Sequence, residues 1–119
     1  MMRGSKPTRS RANSLHYDNV DRQILLLHQA MAKKLIAHHH LRAKVIETIE
    51  QRYASGQLRH GGYLIWSCLM EDIDDHQAFL QGVLVQTPQM QKLRRRTPFV
   101  GILSEEERRI ALTEEGIES

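Results

Sequence analysis

The sequence predicts an all-α protein, a compact bundle of five or six helices behind a disordered basic N-terminal tail. Three observations carry that reading. Hydrophobic residues make up 40% of the 119 and aromatics only 5%, so the core must be largely aliphatic. Seven Gly and three Pro are few for the many turns of a β-sandwich. Apolar side chains recur at steps of three and four, the period of a helix with one buried face. The length suits one core. Residues 18–116 therefore read as a single helical domain and residues 1–17 as its tail.

The tail mixes Arg, Lys, Ser, Gly, Pro and Asn with little apolar content. Such a segment buries too little surface to offset the entropy of ordering it. It holds Arg3, Lys6, Arg9 and Arg11 and no acid, a charge of +4; taken from the chain's +3, that leaves −1 on the rest. The plain reading is a solvated tail. The functional reading is a grip on phosphates or on an acidic partner.

Asp18 is the expected N-cap of a long first helix. Val20, Ile24, Leu27, Met31 and Leu35 follow at helical steps, and Leu25, Leu26, Ala30, Ala32 and Ile36 widen the stripe. His28 falls at the edge of that stripe. A hydrogen bond through one ring nitrogen fits it better than metal ligation, because no second ligand has helical spacing to it. His38, His39 and His40 mark a helix–helix turn. Adjacent residues on a helix point about 100° apart, so the three do not close one tetrahedral site.

Leu41 to Ala54 reads as the second helix, with Leu41, Val45, Ile49 and Tyr53 on one face and Ile46 beside them. Ser55-Gly56 stops it, with Gly56 as a left-handed cap. Gly61-Gly62 lacks the Gly-Lys-Ser/Thr of a phosphate loop. Tyr63 to Met70 is a dense apolar run, best read as a helix holding Trp66 in or near the core. Cys68 lies mid-run without an adjacent basic group, so it reads as a small buried hydrophobe rather than a nucleophile.

Glu71, Asp72, Asp74 and Asp75 lack the ligand pattern of a calcium loop and suit the start of the next helix. Asp72, Asp75 and His76 are the alternative there, as a metal or acid–base cluster. Ile73, Phe79, Leu80, Val83 and Leu84 would face inward. Thr87-Pro88 starts another helix. Arg94, Arg95 and Arg96 suit its negative C-terminal end, and Pro98 ends it. Phe99, Ile102 and Leu103 then form an apolar plug, and Ser104 with Glu107 fits a capping box for a last helix.

The run Leu93-Arg94 through Thr97-Pro98-Phe99-Val100-Gly101-Ile102-Leu103 to Glu106-Glu107-Arg108 resembles the ending of a loose group of small bacterial helical proteins. Those typically end in Leu-Arg-Gln-x-Ser-Pro-Phe-x-Gly-x-Leu-x-x-x-Glu-Arg. Here Arg95 and Arg96 replace the usual Gln-Ser, and the triple His replaces an acidic, proline-containing turn. The resemblance spans Val20 to Arg109. It implies the partner half of a toxin–antitoxin or abortive-infection-type module, and it brings no active site with it.

The expected function is therefore non-catalytic binding of a protein partner, antitoxin-like or regulatory. Nucleic-acid binding is the alternative. The contact residues would be Arg3, Lys6, Arg9, Arg11, Lys92, Arg94, Arg95 and Arg96. No cofactor, metal or catalytic group is expected. No run reaches the ~20 apolar residues of a membrane span, and no secretory signal is visible. With a single cysteine, a cytoplasmic location is expected.

Overall fold

Six α-helices joined by short connections form a compact, all-helical bundle in a computed structural model that describes residues 5–114, with side chains placed for residues 19–113. In order they are α1 (Ser5–Ala37), α2 (Arg42–Ala54), α3 (His60–Glu71), α4 (His76–Leu84), α5 (Pro88–Arg95) and α6 (Glu105–Glu114). A 3-10 turn, His39–Leu41, links the first two at the histidine run. The described residues contain no strand, and no helix is long and apolar enough to cross a membrane.

Helix α1 begins at Ser5, not at Asp18. Pro7 falls in its first turn, where the backbone N–H has no intrahelical acceptor to lose. The disordered tail expected over 1–17 falls on residues whose side chains lie outside those described, as do Arg3, Lys6, Arg9 and Arg11.

The helix ends are closed by local bonds. After α2, Gly56 takes a φ of 83°. Its N–H donates to Tyr53 O at 3.2 Å, and the N–H of Gln57 donates to Arg52 O at 2.8 Å. That is the Schellman pairing. Asp75 caps α4 by accepting from Ala78 N, and Thr87 caps α5 by accepting from Met90 N, each at 3.2 Å. At α6 the Ser104 N–H donates to Glu107 Oε1 at 2.8 Å, and the Glu107 N–H donates to Ser104 Oγ at 3.1 Å. The reciprocal capping box is thus complete. Lys34 of α1 donates to the same Oε1 at 2.7 Å and to Ile102 O at 2.8 Å, tying the start of α6 to α1. That hydrogen bond from Lys34 is the main cause holding the Glu107 carboxyl below its ordinary pKa.

Three arginines close helix C-termini from a distance. Arg42 donates to Leu35 O and Ile36 O at the end of α1, both at 3.0 Å. Arg94 does the same for Val83 O and Val85 O at the end of α4. Arg52 donates to Arg96 O and Thr97 O after α5. The last carbonyls of a helix lack intrahelical donors and carry the negative end of its dipole, so a guanidinium satisfies both needs.

Helix α1 packs against α4, α5 and α6, while α2 packs against α3. The core lies between these groups. It contains Met31, Ala32 and Leu35 from α1, Val45 and Ile49 from α2, Trp66 and Met70 from α3, and Phe79 and Val83 from α4. Phe99 sits among three rings, with centroids 5.3 Å from Trp66, 5.7 Å from His28 and 6.5 Å from Phe79. Ile102 and Pro98 are buried beside it, so the plug expected at this position is present.

Three expectations are corrected. His28 is not at the edge of the stripe; it is 2% exposed and lies in the core. Helices pack on α1 from several sides, so the buried row His28, Met31, Ala32 and Leu35 is turned from the row read off the sequence, and Val20, Ile24 and Leu27 are only half-buried. Cys68 is exposed, not buried. Trp66 and Met70 face the core, and a residue two positions from each points about 200° away. Tyr53 and Ile46 are 37% and 44% exposed, while Val45 and Ile49 take the buried face of α2.

Candidate functional site

The basic cluster of α5 divides when folded. Lys92, Arg95 and Arg96 stand on the surface. Arg95 places Nε and Nη2 at 3.1 and 2.7 Å from Asp21 Oδ1 of α1, a two-pronged ion pair that fixes α5 against α1. Arg94 does not belong to the contact surface expected for it, because it is 3% exposed. Its Nη1 donates to Val83 O at 2.9 Å and Val85 O at 2.8 Å. Burial pulls its pKa down, opposed by the charge of Asp21, yet a guanidinium keeps its proton. Truncating Arg94→Ala therefore acts on the fold. It is expected to cost about 2 kcal/mol through the two carbonyls left without that donor. Urea denaturation checks this; a loss below ~0.5 kcal/mol contradicts the assignment.

In the acidic run Asp74 and Asp75 are held in structural bonds, and the histidine turn lies on the surface. The rings of His38 and His40 meet edge to face with centroids 5.9 Å apart, on the surface. Asp74 pairs with Arg42 at 3.0 Å. Asp75 is the N-cap of α4, and Asp72 is the C-cap that follows α3. Among the described residues, no three His, Cys, Asp or Glu side chains converge as a metal site would require.

A different surface is the outer face of α2 and α3. Tyr53 and Tyr63 stack with ring centroids 4.0 Å apart and planes 12° from parallel. The Tyr53 hydroxyl lies 2.9 Å from His60 Nδ1. The Tyr63 hydroxyl donates to Glu50 Oε2 at 3.0 Å, which pushes its pKa up. Ile46 lies seven residues before Tyr53, two turns along α2, so both share one flank. Leu64, 47% exposed, follows Tyr63 on α3, and exposed Cys68 stands one turn beyond it. Glu47, Glu50 and Glu71 are exposed on the same two helices. Residue spacing alone does not single out this face. Its one signal in the sequence is two tyrosines ten positions apart across a glycine stop, the arrangement that brings facing helix ends together.

Compared with known proteins, the chain matches no family, and no curated protein or solved structure is significantly similar to it.

Proposed function

We propose that this protein is a non-catalytic binding protein that engages a protein partner through the outer face of α2 and α3. The observation that carries this reading is the stacked Tyr53–Tyr63 pair, with exposed Ile46 on the same flank of α2 and exposed Leu64 on α3. Rigid aromatic and aliphatic side chains on a helical scaffold are the typical anchors of a protein interface. The surrounding glutamates favour a partner with a basic rim. The likeness of residues 93–108 to the ends of small bacterial helical proteins supports a partner encoded next door, with this chain as the antitoxin-like or regulatory half in the cytoplasm.

A second reading rests on Lys92, Arg95 and Arg96, exposed together at the end of α5, with the basic residues of the chain start adding charge. That reading is nucleic-acid binding through phosphates, which weakens steeply with salt.

Co-expression with the product of the neighbouring gene tests the first reading, and gel shifts across a salt series test the second. Under the first reading the two proteins co-purify, and Ile46→Glu with Leu64→Glu weakens the complex at least about ten-fold while the thermal melt stays unchanged. Under the second, gel shifts appear at low salt, fade as salt rises and shrink with Lys92→Ala and Arg96→Ala. A complex indifferent to the α2–α3 substitutions removes the support for the first reading.

A further inference from the structure

A cleft of about 270 Å³ opens between α1 and the segment that joins α5 to α6. Leu27, Met31 and Phe99 contribute to its apolar lining. The charged and polar lining is of one kind: His28, Arg94, Arg95 and Arg108 with Thr97, and no acid among the lining residues.

His28 is the unusual member. Its Nδ1 lies 2.8 Å from Ile24 O, one turn back on α1. A carbonyl accepts, so Nδ1 must carry the proton, and Nε2 of the neutral ring is then a bare acceptor. Nε2 is buried and has no partner among the described residues. His28 lines the cleft while its Nδ1 is tied to the backbone of α1. Burial, assisted by the charge of Arg94, brings the pKa down to about 4, so the ring stays neutral at ordinary pH. A buried acceptor without a donor carries a desolvation cost that a ligand hydroxyl would cancel.

The arginines differ in their commitments. Arg94 is bonded to the carbonyls at the end of α4, and Arg95 is paired with Asp21. Arg108 is exposed, and its guanidinium has no partner among the described residues. The planar guanidinium fork matches a carboxylate. The volume lies just below the ~300–1,000 Å³ of drug-sized sites, so the occupant must be small.

We propose that this cleft binds a small aromatic carboxylic acid with a hydroxyl at the end opposite the carboxylate. The carboxylate pairs with Arg108 at the mouth, in the positive field of Arg94. The ring lies against Met31 and Phe99. The hydroxyl donates to Nε2 of His28 at the buried end. This site is independent of the α2–α3 face and does not require a protein partner.

The test is calorimetric titration of the full chain with 4-hydroxybenzoate, benzoate and inorganic phosphate, with amide NMR shifts as a map. 4-Hydroxybenzoate should saturate the protein, with shifts confined to residues 24–31 and 94–108. Benzoate, lacking the donor, should bind about ten-fold more weakly, as one lost hydrogen bond to a buried acceptor implies. Arg108→Ala should weaken 4-hydroxybenzoate by about ten-fold or more, and Arg108→Lys should recover part of it. Arg108 is a surface residue, so these variants keep the fold. Three results overturn the proposal: no saturable binding of either acid, phosphate binding as tightly as 4-hydroxybenzoate, or Arg108→Ala leaving the affinity unchanged.

Discussion

Replacing Phe99 by alanine should lower the unfolding free energy by about 3–5 kcal/mol, the range for deleting a buried aromatic ring. The ring is 1% exposed and touches three other rings drawn from α1, α3 and α4. Pro98 fixes the backbone before it and Ile102 is buried after it, so the plug is ill-placed to collapse into the hole. A residual cavity then adds its cost to the lost transfer free energy. Total stabilities run at about 5–15 kcal/mol, so this one change removes a large share. Urea titration reads it as a lower midpoint with an unchanged slope. A loss below ~1.5 kcal/mol would mean that Phe99 is not the centre of the core.

Lowering the pH from 7 to 4 should remove about 3 kcal/mol of stability through His28 alone, from a pKa moved from 6.5 to about 4. Desolvation is the main cause of that depression, since the ring is buried and Nε2 has no donor. The direction follows from proton uptake. Below pH 6.5 the unfolded chain protonates this histidine while the folded protein does not, so the unfolded state binds more protons. Stability is complete above about 6.5, drains as pH falls towards about 4, and levels off below it as the folded ring also protonates. His38, His39, His40, His60 and His76 are all exposed. Glu107, whose pKa is depressed in the fold, adds a loss of the same sign at the acid end. The comparison that isolates His28 is the difference between wild type and His28→Leu across this pH range. The leucine fills similar space without a titrating nitrogen, and Ile24 O keeps its helical donor. The variant should be nearly flat between pH 6.5 and 5. Parallel slopes in the two proteins would sink the assignment.

Much of the local structure is legible in the sequence. Thr87-Pro88, Asp75, Gly56 and the Ser104–Glu107 pair all perform the capping roles that their positions imply. The plug of Phe99 and Ile102 is also readable, because a proline, a glycine and large apolar side chains occur together between two helix signals. The candidate site is much less legible. Charge counting correctly places Lys92, Arg95 and Arg96 near one another on a helix end, but it assigns Arg94 to the same surface. Neighbouring residues on a helix point about 100° apart, so Arg94 and Arg95 at the end of α5 take different faces, and Arg94 has the one that packs beneath.

By itself, the sequence determined the helical class, the capped ends of α2, α4, α5 and α6 and the aliphatic nature of the core. Those properties depend on residues within about four positions of each other, or on composition, and both are visible in one dimension. Only the tertiary structure decided which row of α1 is buried, that Cys68 is exposed, and that Arg42, Arg52 and Arg94 close the ends of other helices. The carbonyls Arg52 reaches are 44 and 45 positions away, and those of Arg94 are nine and eleven away. No periodicity encodes such a partner. It is chosen by the way the helices pack, which leaves some carbonyls without donors and brings a long cationic side chain within reach of them.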